Sequence, residues 1–152
     1  MRRTTALLAL PLAALATFGV ATVASAGSAT GNSTTNLTGA KEVPGPGDRD
    51  GRGFAGVQPG SDQVCVQIRY RNIDAPTAAH IHEAPAGVAG DVVVDLVPLI
   101  ATSPPGQING CVVVDSALAA DIAATPSDYY VNVHNAAFPA GAIRGQLRAF
   151  SG

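Results

Sequence analysis

The stretch from Asp62 to Asn72, DQVCVQIRYRN, alternates between apolar side chains and side chains of another kind. Val64, Val66, Ile68 and Tyr70 form one set, and the residues between them are cysteine, glutamine and arginine. Successive side chains of a β-strand point to opposite faces, so this period of two predicts a strand with one buried face. Such half-buried strands are typical of antiparallel sheets, and the chain is therefore expected to contain one.

Short segments of the same kind recur along the chain between turns rich in glycine and proline. Beyond the first stretch, we predict strands near Leu37–Glu42, Gly53–Gln58, Thr77–His82, Val92–Val97, Ile108–Val114, Tyr129–His134 and Ala142–Phe150. No alternation of strands with long helices is visible, which argues against a parallel α/β sheet. The spacing predicts an all-β fold, either a β-sandwich or a Greek-key barrel.

One segment, DSALAADIAATP, has the features of a helix instead of a strand. Asp115 or Ser116 can cap its first turn, and good helix formers follow. Pro126 disfavours helical backbone at the residue before it, so the helix should end at about Ala124. We therefore predict a single short helix near residues 116–124.

The first 26 residues have the layout of a signal peptide. Arg2 and Arg3 precede an apolar run from Ala6 to Val20, and Ala24-Ser25-Ala26 supplies small residues for cleavage. We predict cleavage after Ala26, a flexible leader over residues 27–36, and one β domain over residues 37–152. No later run approaches the roughly 20 apolar residues of a membrane span, so the mature chain is expected to be secreted without one.

The charge of the mature chain argues against a nucleic-acid partner. The full chain has 9 basic and 11 acidic residues, and removal of Arg2 and Arg3 leaves 7 against 11, a net charge of −4 with neutral histidine. An excess of acidic residues does not predict the basic surface that binds nucleic acid. The expected partner is an extracellular protein or a ligand of the cell envelope, whose identity the sequence does not give.

Two cysteines occur, Cys65 and Cys111, and both lie in the part predicted to be exported. An even pair in an oxidising compartment indicates one disulfide. Free thiols or thiolate ligands are the alternatives. Cys65 lies opposite the apolar set of its strand, so the bond is expected near a sheet surface or edge.

Three blocks of the sequence resemble the CHRD domain, the module named from chordin: LTGAKEVPGPGDRDGRGFA, AAHIHEAPAGVAGDVVVDL and YYVNVHNAAFPAGAIRGQL. The resemblance extends from about Leu37 to Leu147 and is closest to the exported bacterial form. It implies an immunoglobulin-like β-barrel with suggested kinship to copper/zinc superoxide dismutase. It implies no established catalytic activity.

The chain's three histidines are all expected to avoid the core face of their strands. His80 and His82 are two residues apart and share a face, with Ile81 opposite. In YYVNVHN the valines form the apolar set, which leaves His134 on the other face. Because the family blocks suggest adjoining strands, the three imidazoles should cluster on one side of the barrel.

Such a cluster could bind one copper or zinc ion, since both metals accept three imidazole ligands. Water or a carboxylate such as Glu83 or Asp91 could complete the coordination shell, with Arg144 close by. The alternative is structural: the histidines, together with Arg144, hydrogen-bond loop carbonyls and hold the loops against the sheet. A two-metal dismutase site is excluded, because the resemblance would require four histidines on copper alone.

These features favour an exported binding or structural module over an enzyme, with no cofactor expected and no catalytic residue assigned. Neither serine nor cysteine occurs in a recognisable nucleophile motif. The rival hypothesis is a mononuclear copper or zinc protein that uses His80, His82 and His134, is distantly dismutase-like and could be redox-active.

Overall fold

The structure is a computed structural model that describes residues 32–150 of the chain. The predicted signal peptide and the first part of the predicted leader lie outside these residues. The described part contains nine strands: β1 Ser33–Thr38, β2 Arg52–Pro59, β3 Gln63–Arg71, β4 Pro76–Glu83, β5 Asp91–Asp95, β6 Gln107–Val113, β7 Tyr129–Asn135, β8 Ile143–Gln146 and β9 Arg148–Ala149. No helix between residues 32 and 150 is long and apolar enough to cross a membrane.

The strands form one antiparallel sheet in the order β5-β4-β7-β8-β1-β2-β3-β6, with β9 paired to β1. The sheet curls into a nearly closed barrel, whose two ends in strand order are β5 and β6. This confirms the all-β prediction. Strand β4 therefore lies between β5 and β7, although β7 follows it by more than 40 residues in the chain.

The inner face of the barrel is filled by the apolar sets that alternation predicts. Strand β3 contributes Val64, Val66 and Ile68, which are at most 5% exposed. Strands β4, β7 and β8 contribute fully buried side chains to the same cluster: Ala79, Ile81, Val131, Val133 and Ile143. Burial of each valine or isoleucine in this set stabilises the fold by roughly 1.5–3 kcal/mol, and burial of Ala79 by less.

Two helices lie among the strands, where the sequence predicts one. The first, α1, is a single turn at Val97–Ile100, and the predicted helix is present as α2, Ser116–Ala124. Asp115 caps α2 by accepting a hydrogen bond from the Ala117 N–H at 2.7 Å, which resolves the choice between Asp115 and Ser116. The predicted strand at Val92–Val97 is wrong at its end, because β5 stops at Asp95 and the chain enters α1.

The first strand begins earlier than expected. The sequence predicts a flexible leader to residue 36 and a strand at Leu37–Glu42, but β1 is Ser33–Thr38 and Gly39–Lys41 forms a 3-10 turn. The inward positions of β1 are Ser33, Thr35 and Leu37, all buried. Two of these three are small hydroxyl residues, so the strand lacks the apolar alternation that marks the others.

The last predicted strand, Ala142–Phe150, is divided into β8 and β9. Leu147 lies between them, with its side chain in the core and its N–H bonded to the carbonyl of Tyr129 at 2.9 Å. Strand β8 pairs with both β7 and β1, whereas β9 pairs with β1.

Candidate functional site

The register between β4 and β7 brings the three histidines together. His80 is paired with Asn132, His82 with Tyr130, and Ala78 with His134. His134 is thus displaced by two residues from the position opposite His80, which keeps it on the same face of the sheet. This is the outer face, because Ile81 and Val131 fill the inner one.

The geometric prediction for the histidines is met. Each imidazole offers one ring nitrogen to a group in which all three lie within 4.8 Å of one another. The closest pair is His80 Nδ1 and His134 Nε2, which are 3.2 Å apart. Zn–N bonds of about 2.0–2.1 Å place two tetrahedral ligands about 3.3 Å apart, so this pair has the spacing of two zinc ligands and the rest of the group is more widely spaced.

Two of the rings are fixed by a hydrogen bond from Nδ1 to a loop carbonyl, which leaves Nε2 facing the cluster. His82 Nδ1 donates to the carbonyl of Gly90 at 2.9 Å, and His134 Nδ1 donates to the carbonyl of Pro139 at 3.1 Å. A carbonyl only accepts, so in the neutral rings both Nε2 atoms keep a lone pair. Metal-ligating histidines are oriented in the same way, by an acceptor on the outer nitrogen.

The third ring is held more loosely. His80 Nε2 lies 3.9 Å from a carboxylate oxygen of Asp95, and the His80 side chain is 18% exposed. When His80 Nε2 faces Asp95, its Nδ1 faces His134. Without a metal, a proton on His80 Nδ1 can satisfy that short nitrogen pair by donating to His134 Nε2.

Asn132 lies on the same face of the sheet as the cluster, with its Oδ1 3.1 Å from His82 Nε2. Since His82 Nδ1 already donates to Gly90, a neutral ring needs a donor at Nε2. Rotation of the Asn132 amide by half a turn supplies its NH₂ group there, and the two amide orientations have nearly the same shape. The cluster therefore contains a lone pair that either Asn132 or an ion can use.

The environment favours neutral imidazoles, the form that binds metals. Burial lowers the pKa of His80, and the neighbouring His134 and His82 lower it further, against the opposing effect of Asp95. Burial also lowers the pKa of His134, although its bond to the Pro139 carbonyl opposes this. Less competition from protons extends metal binding to lower pH.

A loop over residues 84–90 covers His82 and is anchored by two side chains of the sheet. Arg144, only 2% exposed, donates from Nη2 to the carbonyl of Val88 at 2.7 Å. The Tyr130 hydroxyl accepts from the Gly90 N–H at 3.2 Å, and its ring stacks on His82 with centroids 4.6 Å apart. The Arg144 guanidinium carbon lies 3.3 Å from the centroid of the Tyr130 ring.

The absence of a side chain at Gly90 lets the 84–90 loop lie close to the backbone of Glu83. A Cβ at that position would overlap the backbone carbonyl of Glu83, so no larger residue fits without moving the loop. The same residue presents its carbonyl to His82 and its N–H to Tyr130. Arg144 and Gly90 thus position the loop and the ring, and neither is a ligand.

The two carboxylates predicted to complete the site are not brought to it. Glu83 and Asp91 are paired across β4 and β5, and both are exposed outside the histidine group. Glu83 follows His82 directly, so alternation keeps its side chain off the face of the histidines, and it stays exposed because it is the last residue of β4. Asp95 is the carboxylate near the cluster because it is paired with His80 across β4 and β5, a register that the sequence alone does not reveal.

The predicted disulfide is formed between Cys65 and Cys111. The two residues are directly paired across β3 and β6, and Cys111 is exposed. The bond therefore lies on the outer side of the sheet, as expected, and next to its β6 edge.

The fold and site define a disulfide-linked, all-β barrel domain with a cluster of three histidines on its outer face. The chain belongs to the CHRD domain family, whose model matches residues 33–147. The match begins at the first residue of β1 and contains every residue of the cluster. No curated protein and no solved structure matches the chain significantly.

Proposed function

We propose that this protein is an exported, non-catalytic binding module whose histidine cluster holds one copper or zinc ion. Membership of the CHRD family is consistent with a non-catalytic binding or structural module. The observation that carries the metal assignment is the convergence of His80, His82 and His134 within 4.8 Å. The signal-like start of the chain and the Cys65–Cys111 pair support export.

The set of ligand types selects the metal class. Three neutral imidazoles suit zinc and copper better than calcium or magnesium, which prefer oxygen ligands. Three protein ligands leave a coordination position for water or for a group of the ligand. Asp95 lies 3.9 Å from the outer nitrogen of His80, too far for a hydrogen bond, and its charge attracts a proton on that nitrogen.

A second role, loop fastening, is favoured by a separate observation. His82 and His134 hydrogen-bond the carbonyls of Gly90 and Pro139, and each carbonyl belongs to a loop that covers the outer face. His80 makes no such bond to a loop. The two roles therefore make opposite predictions for His80, which contributes to a metal site but not to loop fastening.

The decisive experiment is isothermal titration calorimetry, in which residues 27–152 are titrated with Cu²⁺ and, separately, with Zn²⁺. The wild-type chain should bind one ion, and His80→Ala should weaken binding at least about 30-fold, because a two-imidazole site lacks a ligand. Glu83→Gln, an exposed carboxylate beside the cluster, is the matched control and should bind like wild type.

Thermal unfolding separates the two roles. The added ion should raise the Tm of wild type and of Glu83→Gln but not that of His80→Ala. The metal proposal is wrong if the wild type binds the ion no more tightly than His80→Ala does. If His82→Ala and His134→Ala also lower the Tm in the absence of metal, the cluster fastens loops. If the wild type instead binds Cu²⁺ tightly, loss of its electron paramagnetic resonance signal on addition of a reductant would test the redox role.

A further inference from the structure

A groove of about 660 Å³ lies beside the histidine site but does not include it. Its walls come from β1, β8 and β9, from the turn after β1, and from the tip of the 84–90 loop at Ala86 and Gly87. The volume falls in the range of pockets that hold small organic molecules.

Three cations line this groove: Lys41, Arg144 and Arg148. Within residues 32–150, none of them has a carboxylate oxygen within 4.0 Å, since the single close pair of opposite charge is His80 with Asp95. Lys41 donates to the carbonyl of Asn36 at 2.6 Å. Burial lowers the pKa of Lys41, and the nearby charge of Arg148 lowers it further. These cations therefore repel one another, and an anion between them would relieve that repulsion.

Three side chains that line the groove each contain a buried polar atom without a hydrogen-bond partner. Arg144 Nη1 is one, on a residue that is only 2% exposed, and it needs an acceptor. Glu42 Oε1 and Gln146 Oε1 are the others, and both need donors. Leaving such atoms unpaired is unfavourable, so a molecule that pairs with them as their side chains turn toward the groove gains affinity.

We propose that the groove binds a small hydroxy carboxylate, the chemistry of sugar acids. Its carboxylate would pair with Lys41 and Arg148 and accept from Arg144 Nη1. Its hydroxyl groups would donate to the unpaired oxygens of Glu42 and Gln146. Phe54 and Phe150, which are 45% and 59% exposed, line the same groove and can cover the carbon skeleton.

This site is independent of the metal proposal, although the two share the 84–90 loop. Neither Lys41 nor Arg148 contacts a histidine of the cluster, and the contacts proposed for the carboxylate need no ion. The test is therefore made on the chain over residues 27–152 after dialysis against a chelator, so that metal binding contributes nothing to the signal.

The probes are D-galacturonate, its neutral counterpart D-galactose, and acetate, each titrated into ¹⁵N-labelled protein and followed by amide chemical shifts. Galacturonate should bind saturably and shift amides of β1, β8 and the 84–90 loop. Galactose lacks the carboxylate and acetate lacks the hydroxyls, so each should bind at least tenfold more weakly.

The double variant Lys41→Ala/Arg148→Ala should weaken galacturonate binding at least tenfold. Both side chains are exposed, so the fold is expected to be kept, and the amide spectrum verifies this. The matched control is Arg69→Ala/Arg71→Ala, which removes the same charge from β3 outside this groove and should bind like wild type. The proposal is overturned if galacturonate does not saturate the protein or if acetate binds as tightly as galacturonate. It is also overturned if Arg69→Ala/Arg71→Ala weakens galacturonate binding as much as Lys41→Ala/Arg148→Ala does.

Discussion

At the scale of single residues, polar side chains that share the outer face of β7 and β8 support one another. Tyr130 contacts the ring of His82 and the guanidinium of Arg144, and it also binds Gly90 through its hydroxyl. A cation against an aromatic face is stabilised by the ring's quadrupole, more strongly where water is excluded. The result is a buried polar layer outside the sheet, which fixes the direction of His82 before any ion binds.

Glu42 is a buried carboxylate with one oxygen that lacks a hydrogen-bond partner. It is 8% exposed, and its carboxylate packs against Gly141, where a Cβ would overlap it. Gly141 has a φ of +142°, a conformation that favours glycine. Burial raises the pKa of Glu42 from 4.5 to about 7, although Arg144 and the Val43 N–H oppose the shift.

We expect Glu42→Gln to make the fold less sensitive to pH. The native pKa lies above that of the unfolded chain, so between pH 4.5 and 7 the native state binds the extra proton, and stability falls as the pH rises. A neutral glutamine removes this loss. Relative to wild type, the variant should gain about 1–3 kcal/mol in free energy of unfolding between pH 5 and pH 8.

The measurement is urea denaturation of both chelator-treated proteins at the two pH values. Other titrating groups, including the histidines, are common to both chains and cancel in the difference. A constant difference between wild type and Glu42→Gln from pH 5 to pH 8 would show that Glu42 has an ordinary pKa in the native state.

At the scale of strands, alternation of apolar residues predicts the strands that have aliphatic side chains on their inner face. It fails for strands whose inner positions are polar. Strands β2, β3, β4, β6 and β7 lie within about two residues of their expected bounds. The prediction for β1 is misplaced because Ser33 and Thr35 occupy its buried positions. The predicted end of β5 is misplaced because the apolar run continues into α1, and periodicity over so short a run does not separate strand from helix.

The Cys65–Cys111 bond belongs to this scale because it joins β3 to the last strand of the sheet order, β6. It closes a loop with a sequence separation of 46 residues. The double variant Cys65→Ser/Cys111→Ser should therefore lower the free energy of unfolding by about 2–4 kcal/mol, chiefly because the unfolded chain gains freedom.

Chemical denaturation of the oxidised wild type, the reduced wild type and the double variant checks this. The reduced protein should unfold like the variant, since both lack the bond and keep the remaining contacts of β3 with β6. Equal midpoints for all three proteins would mean that the bond adds nothing to the equilibrium stability.

At the scale of the whole molecule, the site depends on contacts distant in sequence. Alternation in AAHIH and YYVNVH predicts which face each histidine occupies, and the structure agrees. Pairing of His80 with a strand that starts almost 50 residues later is not encoded locally, and only the family resemblance leads one to expect it. The loop carbonyls of Gly90 and Pro139, and the approach of Asp95, depend on the completed barrel and have no signal in the sequence.

Export of the whole chain is the last expectation. Arg2 and Arg3, the apolar run after them and Ala24-Ser25-Ala26 together predict cleavage after Ala26. Strand β1 starts at Ser33, so such cleavage leaves residues 27–32 ahead of it and removes no part of the barrel. Mass spectrometry of protein recovered outside the cells should find Gly27 at the N-terminus.

Replacement of the small residue at the cleavage position tests the assignment directly. Signal peptidase requires small side chains at both ends of the A-x-A site, so Ala26→Leu should leave the precursor unprocessed and cell-associated. Ala21, which lies outside that site, provides the matched control, and Ala21→Leu should be processed like wild type. Secreted material that begins with Met1 in all three proteins would contradict the signal peptide, because a cleaved signal leaves Gly27 at the N-terminus.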